Sequence, residues 1–136
     1  MRYWPGGTVG VVAAFATRGA ALGLVFGAIP DIAVVVRPAA QDALRLLARA
    51  DCAVRAVSTD LNMPRMDGFE FIERIRAEPR HRRLPIIVIS GDTDPHTPER
   101  LSALGANAFF SKPYSPAQVR LKVEQLLDAY PAQCPP

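Results

Sequence analysis

Three residues that could take part in group-transfer chemistry each follow an apolar segment of the chain. Asp60 follows AVRAVST, Ser90 ends LPIIVIS, and Lys112 follows NAFFS. A carboxylate can act as a nucleophile, a hydroxyl can donate a hydrogen bond to an oxyanion, and an ammonium can balance the charge of a transferred group. Each residue type is common at such positions, so the chemistry depends on whether the fold brings the three together.

Two kinds of apolar segment alternate along the chain and predict the elements that position these residues. Short runs rich in β-branched residues predict strands at 8–16, 32–36, 53–59, 84–90 and 107–111. Apolar residues at helical spacing predict helices at 22–29, 38–50, 69–78, 98–104 and 116–127. Thr97 and Ser115 are the predicted N-caps of the last two helices, because each precedes a proline that suits the first helical turn.

This alternation predicts five β-then-α units and an α/β fold. Strands this apolar need cover on both faces, so we expect a doubly wound sheet of five parallel strands, (βα)5, with helices on both faces. Functional groups in such sheets lie just beyond the carboxyl ends of the strands. Asp60, Ser90 and Lys112 are therefore expected at one edge of the sheet.

Length and composition favour one folded domain. The chain has 136 residues, of which 49% are hydrophobic and 21% charged, as is typical of a protein with a packed core. We expect a single domain over 1–136, with an N-terminal extension at 1–7 and a proline-rich tail at 130–136. Cys52 and Cys134 fit no metal-ligand spacing and are predicted to be reduced thiols in a cytoplasmic protein.

Charge patterning argues against nucleic-acid and membrane partners. No aromatic residues interleave with the basic run RIRAEPRHRR for base stacking, so we interpret it as a solvated helix end. Its arginines are Arg74, Arg76, Arg80, Arg82 and Arg83. The nearly uncharged segment 9–36 is divided by Arg18 and Pro30 into runs too short to span a bilayer.

Two enzyme classes are also disfavoured. A hydrolase with an aspartate at a strand end would want a second acid two residues on, where this chain has Asn62. A dinucleotide-binding fold would need a glycine-rich turn after the first strand, and AAFATRGA does not provide one. His81 and His96 lie in predicted loops, so we expect surface residues rather than catalytic bases.

Over residues 56–127, the chain resembles the receiver domain of two-component response regulators. The matching segments are TDLNMPRMDGFEFIERIR, PIIVISGD and GANAFFSKPYSP. The resemblance implies a flavodoxin-like strand order, 2-1-3-4-5, and a phosphorylation switch rather than an enzyme. It also implies a sensor histidine kinase or a histidine phosphotransferase as the donor, and a downstream protein as the target.

The resemblance implies a role for each matching residue. Asp60 would accept the phosphoryl group, Ser90 would hydrogen-bond its oxygens, and Lys112 would contact them through its ammonium. Phe109 would be the aromatic switch residue that follows Ser90. Asp60 and the backbone carbonyl of Asn62 would be ligands of Mg²⁺. The loops around the site would be shaped by three further residues, Pro64, Gly68 and Pro113.

The chain departs from the family pattern at the end of the first strand. Ala13 and Ala14 stand where the family has two adjacent acids that hold Mg²⁺, so we expect Mg²⁺ binding to be weak or absent. Two hypotheses follow. The chain is a stand-alone receiver that accepts a phosphoryl group on Asp60 and signals by protein association. Alternatively, it is a degenerate receiver that acts as an interaction or dimerisation module whatever its phosphorylation state.

The predicted helix at 22–29 leaves a second question open. Gly23 and Gly27, together with Gly19 one turn before the helix, give its outward side a smooth apolar face. Either the face belongs to a tolerated weak helix, or it packs against a partner or a second copy of the chain. If the chain forms a homodimer, the contact would be through this helix or through the face formed by 98–104, 107–111 and 116–127. A second possibility is that the chain is a fragment of a longer regulator.

Overall fold

The computed structural model of the protein describes residues 9–14, 32–49, 54–63 and 65–129. The strands are β1 (Val9–Ala14), β2 (Ile32–Arg37), β3 (Val54–Thr59), β4 (Ile86–Ser90) and β5 (Ala108–Ser111). The α-helices are α1 (Ala40–Arg49), α2 (Gly68–Ala77), α3 (Thr97–Leu104) and α4 (Pro116–Ala129), with a short 3-10 helix at Pro79–His81. Five predicted features lie outside the described residues: the helix at 22–29, the extension at 1–7, the tail at 130–136, both cysteines and Pro64.

The five strands form one parallel sheet in the order β2-β1-β3-β4-β5, which confirms the predicted architecture. The order changes direction between β1 and β3, where a doubly wound sheet opens a crevice at its carboxyl edge. The register sets Ala14 beside Thr59 and Ser90 beside Ser111. The carboxyl ends of β1, β3, β4 and β5 therefore meet along one edge.

Side chains of alternating direction divide the core between the two faces of the sheet. On one face, Val12, Val57 and Val88 pack with buried side chains of α1, α2 and α3. On the other face, Val11 and Ile87 belong to a second cluster with residues of α4. None of the helices in the described ranges has the length and apolarity of a bilayer-spanning segment.

Several element boundaries differ from the sequence-based predictions by one or two residues. β4 begins at Ile86 rather than at residue 84, since Pro85 has no amide hydrogen and contributes only its carbonyl, which accepts from the Val57 amide at 2.9 Å. α3 begins at Thr97, so Thr97 is the first helical residue and not the N-cap. Ser115 does cap α4, because its Oγ accepts a hydrogen bond from the Gln118 amide at 3.3 Å.

Arg76 corrects the prediction that the basic run is entirely solvated. Its guanidinium is half-buried and donates to the carbonyls of Gly105 at 2.6 Å and His81 at 2.7 Å. It also donates to Oδ1 of Asn107 at 3.1 Å, and this oxygen accepts from the Ile86 amide at 2.8 Å. One side chain thus joins α2, the end of α3 and the start of β4 at the edge of the sheet opposite Asp60.

His81 was predicted to be a surface residue, and this prediction is wrong. The 3-10 turn folds back on α2, so only 7% of His81 is exposed. Its Nε2 has no hydrogen-bond partner within the described part of the chain. Burial lowers the pKa of His81 below its usual 6.5, the charge of Arg80 lowers it further, and Glu78 partly offsets both.

We predict that the burial of His81 makes the domain less stable in mild acid. Above pH 6.5 the imidazole is mostly neutral in the folded and in the unfolded chain. Below pH 6.5 the unfolded chain binds a proton at His81, whereas the folded chain binds it only at lower pH. The free energy of unfolding should fall until the pH passes the lower, folded pKa. Urea unfolding between about pH 7.5 and about pH 5.5 would measure this dependence.

The matched variants for this experiment are His81→Gln and His96→Gln. His96 is exposed and its side chain does not cap α3, so its variant should keep the pH dependence of the wild type. His81→Gln should show a shallower dependence. Equal slopes for both variants would show that His81 does not contribute.

Candidate functional site

Asp60 lies one residue beyond β3, where its backbone continues the pairing with β1. Its amide donates to the carbonyl of Ala14 at 3.1 Å. Its side chain is only 15% exposed, and Oδ1 accepts hydrogen bonds from the amides of Leu61 at 2.6 Å and Asn62 at 3.3 Å. Two backbone donors therefore fix the carboxylate at the mouth of the sheet.

Lys112 reaches the same carboxylate from the end of β5. Its Nζ lies 3.1 Å from Oδ2 of Asp60, and its side chain is 43% exposed. Its amide donates to the carbonyl of Ser90 at 2.9 Å, which fixes its backbone against the end of β4. The peptide bond between Lys112 and Pro113 is cis, and Pro113 is exposed. The structure thus brings together the acid and the amine that sequence analysis singled out.

Ser90 and Phe109 lie on β4 and β5, the two strands that precede Lys112 in the chain. Ser90 is the last residue of β4 and is fully buried, and its Oγ accepts a hydrogen bond from the Asp92 amide at 3.3 Å. Phe109 pairs with Val88 in the sheet, is half-buried, and packs against the core that α1, α2 and α3 share. Ser90 therefore ends β4, as the sequence predicted, and Phe109 lies within β5, three residues before Lys112.

The loop that carries Asp60 into α2 is held by close packing. Met63 and Met66, two residues of this loop, are buried, and the Gly68 amide donates to the carbonyl of Leu61 at 2.9 Å. A Cβ on Gly68 would collide with the carbonyl oxygen of Asp60 and would lie 2.7 Å from the Cα of Leu61. Glycine at position 68 lets the first turn of α2 pack directly against the acid's backbone.

Sequence reasoning missed several contacts of the site. The amides of Leu61 and Asn62 hold the carboxylate, yet every residue type except proline carries an amide, so residue identity gives no signal for them. For Asn62 the resemblance pointed to the carbonyl rather than to the amide. The hydroxyl of Thr59 donates to the carbonyl of Asp60 at 2.8 Å. A polar residue at the buried end of β3 was the one available indication of this contact.

The end of β1 supplies no side-chain oxygen to the site. Ala13 and Ala14 are both fully buried, and Ala14 contributes only its carbonyl, which accepts from Asp60. Within the described ranges, no group of three or more acidic, histidine or cysteine side chains is arranged to hold a metal ion. Mg²⁺ prefers an octahedral set of hard oxygens with carboxylates among them. One carboxylate already paired with an ammonium does not match that requirement.

Comparison with known proteins identifies the family. The model of the response regulator receiver domain matches residues 20–124 of the chain. The chain belongs to this family. The match begins beyond β1, so it does not extend to Ala13 and Ala14. Receivers are signalling switches, and they typically use Mg²⁺ at the phosphorylation site. CheY-like receivers interact with histidine kinases and with downstream proteins.

Relatives of known sequence include chemotaxis proteins. A CheY homolog of Campylobacter jejuni is 36% identical over 76 residues, which cover 54% of this chain and 57% of that protein. A 14.6 kDa protein from the sodA1 3′ region of Leptolyngbya boryana is 34% identical over 98 residues, or 72% of this chain and 73% of that protein. The match to the chemotaxis relative thus spans a little over half of its length.

Solved receiver structures share the fold over most of the chain. A response regulator receiver protein from Pseudomonas putida has a TM-score of 0.76 and 28% identity, and covers 87% of this chain and 96% of its own. CheY4 of Vibrio cholerae has a TM-score of 0.74 and 22% identity, and the match covers 88% of this chain and 99% of CheY4. The similarity to CheY4 is one of fold alone.

We predict that Gly68→Ala destabilises the domain by about 1–3 kcal/mol, because the added methyl group must displace the backbone of Asp60 and Leu61. Gly91→Ala is the matched control, since a Cβ there would meet nothing within 4 Å. It should change the free energy of unfolding by no more than about 0.5 kcal/mol. Urea unfolding would measure both, and equal values would contradict the close packing at Gly68.

Proposed function

We propose that the chain is a stand-alone receiver that accepts a phosphoryl group on Asp60 and signals by association with other proteins. The 3.1 Å contact between Nζ of Lys112 and Oδ2 of Asp60 is the observation that carries this proposal. It joins a carboxylate and a cation from two strands that are not neighbours in the sheet. No packing requirement explains why a carboxylate and an ammonium should meet at this edge.

The surroundings of Asp60 suit a charged phosphoryl group. An acyl phosphate at this position would carry a charge of about −1.5 to −2, and Lys112 would balance part of it. Ser90 ends β4, which lies between β3 and β5, and its Oγ accepts a hydrogen bond from the Asp92 amide. We assign Asp60 the role of acceptor, Lys112 that of counter-ion, and Ser90 that of a donor to the phosphoryl oxygens.

The same proposal assigns the switch and the partners. A new charge at Asp60 would act on Ser90 and on Phe109, which is linked to it through the pairing of β4 and β5. The surface formed by α3, β5 and α4 would then contact a downstream protein or a second copy of the chain. The donor would be a sensor histidine kinase or a histidine phosphotransferase. Residues 1–136 would act as one receiver domain, with its loops shaped by Asn62, Pro64, Gly68 and Pro113.

A degenerate receiver is the second candidate, and the alanines at the end of β1 favour it. A divalent ion about 4 Å from one carboxylate gains roughly 8 kcal/mol at an effective dielectric constant of about 20, before desolvation is subtracted. Each of the two acids in the family pattern would add an attraction of this kind, and this chain has neither of them. Mg²⁺ binding would be weak or absent, and the folded domain would act as a phosphorylation-independent interaction or dimerisation module.

We predict that acetyl phosphate adds one phosphoryl group to the wild type, as measured by intact mass. Asp60→Asn keeps the shape of the side chain and removes the nucleophile, so it should show no adduct. Asp128→Asn, at the exposed end of α4, is the matched control and should react like the wild type. A wild type that stays unmodified while it remains folded would rule out the acceptor and favour the degenerate receiver.

A further inference from the structure

Asp60 and Lys112 form an ion pair whose opposite charges cancel without any bound ion. One carboxylate faces one ammonium at 3.1 Å. The two residues at the end of β1, Ala13 and Ala14, are uncharged and fully buried. The family pattern places two further carboxylates there, which would leave a negative cleft that needs a divalent cation. In this chain the cleft already has its balancing charge.

The hydrogen-bond partners of Asp60 point the same way. Oδ1 accepts from the amides of Leu61 and Asn62, and Oδ2 accepts from Lys112. A divalent cation at this carboxylate would either displace the ammonium or lie next to it, where like charges repel. The backbone of Lys112 is also held in place, because its amide donates a hydrogen bond to the carbonyl of Ser90.

We propose that Lys112 is the cation of this site in place of Mg²⁺, and that phosphoryl transfer to Asp60 proceeds without a divalent metal. This inference rests on the function proposed above. In the step, an oxygen of the Asp60 carboxylate forms a bond to the phosphorus of acetyl phosphate. The bond between that phosphorus and the acetyl oxygen breaks, and acetate leaves with the electron pair. No proton is transferred, and the total charge is the same on both sides.

Lys112 would act directly on the transferring group. Its ammonium already contacts the carboxylate and would follow the negative charge onto the phosphoryl oxygens, as a fixed donor does in an oxyanion site. Within the described residues, no other cation contacts this carboxylate. The loss of Lys112 should therefore slow phosphoryl transfer to Asp60 far more than the removal of Mg²⁺ from solution does.

The binding part of the proposal is tested by titration of the folded wild type with Mg²⁺, using the amide resonances of Leu61 and Asn62. We expect no saturable shift at millimolar Mg²⁺. Ala13→Asp/Ala14→Asp should acquire one, because it restores two carboxylates beside Asp60. A saturable response in the wild type would overturn the proposal, and this result does not depend on whether the double variant folds.

The transfer part is tested with acetyl phosphate, in EDTA and in Mg²⁺, with intact mass as the readout. We expect equal adduct formation in the two buffers, and roughly 100-fold slower formation in Lys112→Met. Lys122→Met, a substitution of the lysine on α4, is the matched control and should react like the wild type.

Two other outcomes contradict different parts of the account. An adduct that forms in Mg²⁺ and not in EDTA would overturn the metal-free step and leave Asp60 as the acceptor. No adduct in either buffer would overturn the proposed function and the transfer step with it.

Discussion

The candidate site depends on the ion pair between Asp60 and Lys112. Asp60 follows β3 and Lys112 follows β5, and these strands lie on opposite sides of β4. The ion pair therefore reaches across the carboxyl end of β4. The sheet makes the contact possible because parallel strands present their carboxyl ends at one edge. Two local features make it specific: the amides of the loop after β3 hold one carboxylate oxygen, and the β4–β5 pairing holds the backbone of Lys112.

The alanines at the end of β1 change what this ion pair has to do. In a receiver with two acids at these positions, a lysine would be one of two cations in a strongly negative cleft. Here the carboxylate contacts one charged side chain within the described residues, and the charges of the pair cancel. The presence of alanines instead of acids at these two positions therefore disfavours Mg²⁺ binding and favours Lys112 as the cation of the site. It also explains why the degenerate receiver is the natural competing hypothesis.

The sequence predicted most of the fold and the strand ends at which Asp60, Ser90 and Lys112 lie, because both depend on patterns that local chemistry controls. Apolar runs of strand length and helical repeats determined the five parallel strands and the strand ends at 60, 90 and 112. The burial of His81 and the hydrogen bonds of Arg76 were not predictable, since both lie in a polar, arginine-rich run and depend on how a 3-10 turn folds back on α2. The amides that hold Asp60 were hidden for a different reason, because the sequence does not distinguish one backbone amide from another.

A double-mutant cycle tests the ion pair most directly, with unfolding free energies measured for Asp60→Asn, Lys112→Met and the variant that carries both. Because Lys112 is partly exposed, we expect a favourable coupling energy of about 0.5–1 kcal/mol that decreases as salt is added. A coupling energy indistinguishable from zero at low salt would contradict the account, because it would mean that the two side chains do not interact in the folded protein.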